Sequence, residues 1–167
     1  MKKITILVVT LLMMAMTAQA QGIEKLINKY SNDEHIHYVS LSADLIQFGL
    51  SFIDDKAGEI DHLMREALSK IKGLKVLTLK SESESESLAE KKLMESITNE
   101  LNSILQKDSK AEPVIESREK GNITKIYTTS EGLLIMTKEP GELSVVFISG
   151  ELSKKAINEI ISQTDKK

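Results

Sequence analysis

The stretch EPVIESREKGNITKIYTTSEGLLIMTKEPGELSVVFIS, residues 112–149, decides the fold. It divides into four runs of strand-forming residues, 113–118, 122–128, 132–138 and 142–149. The gaps hold turn chemistry: Lys120-Gly121-Asn122, Thr129-Ser130-Glu131-Gly132 and Glu139-Pro140-Gly141-Glu142. Proline presets φ at the first corner of a turn, and glycine accepts a positive φ at the second. Four strands joined by tight turns make an antiparallel meander. The last of them carries Val145-Val146-Phe147-Ile148, apolar on both faces, so it belongs at the centre of a sheet or against a partner.

Working outward, residues 88–106 read as a long helix with Leu93, Ile97, Leu101, Ile104 and Leu105 on one stripe. Before it, residues 80–87 form an acidic Ser/Glu loop with too little apolar content to pack. Residues 22–30 place Ile23, Leu26, Ile27 and Tyr30 on one helical face. Residues 35–41 alternate as a strand, and Ser42 is a plausible N-cap for a helix over 43–53. That helix is apolar almost all round, which predicts burial. A further helix is expected over 59–71, closed by Gly73, then a strand over 74–79 and, after the meander, a helix over 154–162. The class is α+β: a four-stranded C-terminal meander, open to extension by the two N-terminal strands, with helices packed on one face. The β-α-α-β unit could set those two N-terminal strands parallel.

Residues 1–20 carry a basic start (Lys2, Lys3), an apolar run and a small-residue site, Ala18-Gln19-Ala20, the pattern of a secretory signal peptide. Residues 21–167 are then expected to form one exported domain, periplasmic or extracellular, with no further transmembrane segment. The chain has no cysteine, which excludes disulfides, thiol nucleophiles and thiolate metal sites. Its net charge of −3 and its scattered lysines argue against nucleic acid. With aromatic residues at 4% and no tryptophan, the core must be aliphatic, with Met64, Met94 and Met136 as filler.

Few residues invite chemistry. His35 and His37 would project from one face of a strand, and with Asp33, Glu34 or His62 could hold zinc or copper. The same spacing also describes polar residues at an exposed strand start. Glu82 to Glu86 could bind calcium weakly through several carboxylates, but they lack the alternating Asp/Asn and central glycine of an EF-hand loop and read as a flexible acidic linker. There is no Gly-x-Ser-x-Gly elbow, His-Glu-x-x-His helix or glycine-rich phosphate loop, so neither an enzyme nor a cofactor is expected. The reading that remains is a binding domain that meets an envelope protein through its sheet or helices. Its alternative is a carrier of a small apolar ligand, with Phe48, Phe52 and Met64 lining a pocket.

Three segments resemble one family: residues 23–31 (IEKLINKYS), residues 71–77 (IKGLKVL), and Glu139-Pro140-Gly141-Glu142 with the strand and Gly150-Glu151-Leu152 after it. The resemblance is to the bacterial exported family termed domain of unknown function 4252, found mainly in the Bacteroides group. It covers nearly all of the chain after residue 20. It implies export and an α+β domain in an envelope or stress context. It implies no activity, so no functional residue can be carried over.

Overall fold

The computed structural model describes residues 22–51, 69–81 and 87–152. The expected signal peptide, His62, Phe52, Met64, the acidic residues 82–86 and the helix over 154–162 all lie outside them. In chain order the elements are α1 (Ile23–Tyr30), β1 (Ile36–Ser42), α2 (Ala43–Ser51), β2 (Ile71–Lys80), α3 (Leu88–Lys107), β3 (Glu112–Glu119), β4 (Asn122–Thr128), β5 (Gly132–Glu139) and β6 (Glu142–Gly150). The six strands form one antiparallel sheet in the order β1-β2-β6-β5-β4-β3.

The meander folds as its turns dictate. Lys120 and Gly121 take φ of 50° and 91°, the two positive values that a two-residue hairpin matched to strand twist requires. β6, apolar on both faces, lies between β2 and β5 rather than at an edge. Three expectations upstream are corrected. β1 and β2 are antiparallel neighbours, not parallel strands. Residues 71–73 belong to β2, so Gly73 does not end a helix; it pairs with Ser42 on one side and Ser149 on the other. Its missing side chain suits that place, because an added Cβ would press on Ser149 Oγ at 3.3 Å and the Leu41 carbonyl at 3.4 Å. Finally, α2 is not largely buried: Leu45 and Phe48 are 52% and 62% exposed.

The strand period of two sorts the sheet into faces. One face presents Ile36, Leu77, Leu79, Leu134, Met136, Leu143, Val145 and Phe147, and it packs against Ile23, Leu26, Ile27 and Tyr30 of α1 and Met94, Ile97 and Leu101 of α3. Eleven of these side chains are at most 1% exposed, and each buried aliphatic or aromatic group contributes about 1.5–3 kcal/mol to stability. Met94 and Met136 fill this core as expected. Of the predicted α3 stripe, Ile97 and Leu101 are buried, while Leu93, Ile104 and Leu105 sit at its margin. Ser87 closes the α3 N-terminus with a capping box: its Oγ accepts from Glu90 N at 3.2 Å, and Glu90 Oε2 accepts from Ser87 N at 2.8 Å.

The opposite face is laid out in rows. The register aligns one β-branched residue from every strand: Val39, Val76, Val146, Ile135, Ile126 and Ile115. Beside it runs a polar row of His37, Thr78, Ser144, Thr137, Thr124 and Ser117, in which the Thr78 and Ser144 hydroxyls lie 3.5 Å apart. The apolar row is half-buried except at Val39, where it reaches the β1 edge and is 52% exposed.

Candidate functional site

The two edges of the sheet are built differently. β3 carries Pro113, a register shift between Pro113 and Ile115, and the charges of Glu112, Glu116, Arg118 and Glu119. Proline, bulges and charge are the devices that keep an edge from pairing with another chain. β1 reads Ile-His-Tyr-Val-Ser-Leu-Ser and has none of them. Among the described residues it pairs on one side only, with β2. Among the described residues its outward backbone groups are therefore a row of donors and acceptors without ladder partners.

Local chemistry fixes where this edge begins and ends. Asp33 closes the turn after α1, and its Oδ1 accepts from the His35 backbone N–H at 3.0 Å. The Ile36 N–H returns to the Asp33 carbonyl at 3.1 Å, which launches the strand. The His35 N–H holds the Asp33 carboxyl below the usual carboxylate range, against a smaller opposing effect of burial. At the other end, Ser42 Oγ accepts from Leu45 N at 3.4 Å and starts α2. The first turns of that helix put exposed Leu45 and Phe48 directly after the edge strand.

The remaining perturbed groups are structural ties. Glu100 on α3 accepts from Lys29 Nζ at 2.6 Å and Tyr30 Oη at 2.7 Å, which fastens α1 to α3. The Lys29 bond, followed by that of Tyr30, depresses the Glu100 carboxyl, while burial and then the Glu100 bond raise the Tyr30 phenol. Across β3 and β4, Tyr127 donates to Glu116 at 2.5 Å, and Lys125 Nζ stands 3.5 Å from the same carboxylate. The Glu116 bond and then burial push the Tyr127 phenol up to about 12.

A cleft of about 660 Å³ lies where α1 begins, α3 ends and β4 turns into β5, lined in part by Glu100, Lys107, Asp108, Ser130 and Glu131. Its carboxylates already have partners: Glu131 caps Ile23 N at 3.1 Å, and Asp108 takes Ser130 N at 2.7 Å and Lys110 N at 2.9 Å. No buried side-chain polar atom of the described residues lacks a partner. The cleft is thus a joint between elements, and its carboxylates serve that joint.

The sequence-derived metal candidates are not on one strand face. β1 starts at Ile36, so His37 is in the strand, while His35 sits in the turn with Nδ1 3.1 Å from Asp33 Oδ1. No group of three or more His, Asp or Glu among the described residues is placed to hold a metal. Of the pocket candidates, Phe48 lies on α2, mostly exposed, and Phe52 and Met64 are outside the described residues. The β1 edge itself was missed at the level of sequence. The run of seven residues without charge or proline is visible there, but its place at an edge depends on strand order.

No helix of the described residues is long and apolar enough to cross a membrane. Neither a curated protein nor a solved structure matches the chain. Residues 30–160 match the family described as Domain of unknown function (DUF4252), a span from the end of α1 through the whole sheet and beyond. The chain belongs to that family.

Proposed function

We propose that the chain is an exported, non-enzymatic binding domain that takes up a partner polypeptide on the β1 edge of its sheet. One observation carries this reading: β3 is guarded by proline, a bulge and charge, and β1 is bare. A sheet that defends one edge and leaves the other open has a use for the open one, because a bare edge otherwise invites aggregation. Strand addition supplies affinity through main-chain bonds and selectivity through alternate side-chain positions. The exposed side chains of Val39 and Leu45 add apolar area beside those bonds.

The test is a photoreactive amino acid in place of Val39, and separately in place of Ser117 on β3, in the host cell. Adducts at 39 alone, mapping to one segment of one protein, are expected. Equal adducts at both edges, or none at 39, would overturn the reading. The mass of the recovered protein tests export, since cleavage after Ala20 leaves a chain that begins at Gln21.

A second reading, a carrier of a small apolar ligand, draws on the row of Val and Ile side chains across the outer face. Native mass spectrometry of protein from its own host would show extra mass of a few hundred daltons if that reading holds.

A further inference from the structure

The β1 edge is uncharged along its seven residues, but its start is acidic. Asp33 and Glu34 lie three and two positions before Ile36, with His35 between them and the strand, and Asp44 follows in the first turn of α2. The lysines near this edge come from β2. At the acidic end the His35 ring also faces Asp33, Nδ1 to Oδ1 at 3.1 Å, while Glu34 has no such neighbour among the described residues. Lys75, opposite Ser40, is engaged on the helix-covered face with Glu24 at 2.6 Å and Asn28 at 3.0 Å. Lys80, one position past the Ile36–Leu79 pair, stands 3.8 Å from Glu142. Lys72, one position past the Ser42–Gly73 pair, is exposed near the Asp44 end. The end marked by Asp33 and Glu34 therefore keeps an excess of negative charge, and the Asp44 end is closer to balance.

We infer that the occupant of β1 is an extended segment of a partner polypeptide, uncharged and alternating along about seven residues, with basic residues at the end that meets Asp33 and Glu34. The inference rests on the edge reading above and adds the chemistry of the partner. Seven antiparallel residues span about 24 Å, and opposite-charge pairs at a strand end fix its register and direction. A β-branched residue set opposite Val39 would extend the apolar row of the outer face by one strand. A second copy of this chain fits less well. Antiparallel self-pairing along the full length sets Ile36 against Ser42, which brings Glu34 of one copy toward Asp44 of the other. Parallel self-pairing stacks Asp33 and Glu34 on their own equivalents. Like charges placed opposite one another destabilise a pair.

The test uses the exported protein purified whole and two fluorescein-labelled peptides, read by anisotropy. One is Thr-Val-Thr-Val-Thr-Val-Thr-Thr-Lys-Lys, which sets a valine opposite Val39 when its lysines meet Glu34 and Asp33, and the other is the same peptide ending in Glu-Glu. The lysine peptide is expected to bind, and the glutamate peptide about tenfold more weakly, as two exposed ion pairs allow. Asp33→Asn with Glu34→Gln should erase that difference. Asparagine retains an oxygen to accept from the His35 N–H, so the turn is kept. Val39→Lys should weaken both peptides. Equal binding of the two peptides, lost in Val39→Lys, overturns the partner chemistry and leaves the edge reading standing. Lysine-peptide binding that survives Val39→Lys but not the acid double variant overturns the edge reading as well. Failure of both peptides to bind overturns the inference. Sedimentation then assigns the edge to a second copy if Val39→Lys dissolves a dimer, and β1 amide protection in a monomer assigns it to another segment of this chain.

Discussion

Gly132 is the position at which one methyl group should do most damage. It opens β5 at φ 151°, a backbone conformation reserved in practice for glycine, and pairs with Ser149 of β6. A Cβ built there falls well inside contact with the Ile148 carbonyl oxygen, and within 3.0 Å of the Ile148 carbonyl carbon and Ser149 Cα. These are main-chain atoms of a central strand and cannot swing aside as a side-chain end would. The backbone strain alone is worth about 1–3 kcal/mol. Relieving the contact means parting the start of β5 from β6, where Gly150 N reaches Glu131 O at 3.2 Å, or shifting Gly132 and with it the β4–β5 turn that Thr129 N closes on Gly132 O at 2.8 Å. Loss of one or two such bonds adds about 1–2 kcal/mol. Reduced freedom of the unfolded chain returns about 0.5 kcal/mol. Gly132→Ala should therefore destabilise by about 3 kcal/mol, a fall of 1 M or more in urea midpoint at slopes of about 1–3 kcal/mol/M. Gly121→Ala is the control: φ is 91°, and nothing lies within 4 Å of the added Cβ. It bears the strain without the contact and should cost about 1 kcal/mol. Equal midpoints for the two variants would refute the steric argument.

Other perturbations test separate joints. Phe147→Ala empties a site that is 1% exposed and should cost about 3–5 kcal/mol by chemical denaturation. Ser87→Ala removes the capping box of α3 and should cost about 1 kcal/mol, with little effect on the urea slope. The depressed Glu100 carboxyl contributes stability that is present above its unfolded value of about 4.3 and lost as pH falls through its lower folded value. Glu100→Gln should flatten that acid limb of the stability curve. Ultraviolet titration should show one phenol ionising near 12 that disappears in Tyr127→Phe.

The meander was legible because its information is local. Turn residues at Lys120-Gly121 and Pro140-Gly141 fix hairpins between neighbours in the chain, and the Val145–Ile148 run marks a strand wanted at the centre. Neither the neighbour of β6 on its other side nor the direction of β1 against β2 is local. The first depends on the pairing of β2 with a strand more than sixty residues later, and for the second a β-α-α-β order is compatible with either direction. Gly73 misled for a similar reason: after a periodic run it resembles a helix end, yet the close approach of Ser149 and Leu41 gives it a strand role. His35 and His37 have strand spacing, but the Asp33 turn claims His35 first. The capping box at Ser87 and Glu90 was present in the letters Ser-x-x-Glu and could have fixed the start of α3 without any structure.

The placement of the core is what allows binding and folding to be tested apart. Only Ile36 of β1 belongs to the buried cluster, with Tyr38 at its margin, while β2, β5 and β6 together with α1 and α3 supply most of the rest. The outer positions of β1 thus add little to the main core, and the strand is held chiefly by its ladder to β2. Surface substitutions away from core, caps and special backbone sites usually change stability by about 0.5 kcal/mol or less. Val39, half exposed on an edge strand, meets that description. Lysine there should leave the urea midpoint nearly unchanged and still place a charge in the path of an incoming strand. Loss of binding in that variant would then mean loss of the edge and not loss of the fold. An edge whose side chains carried the core would not permit that separation, and the same economy lets the protein keep β1 bare without resting its stability on it.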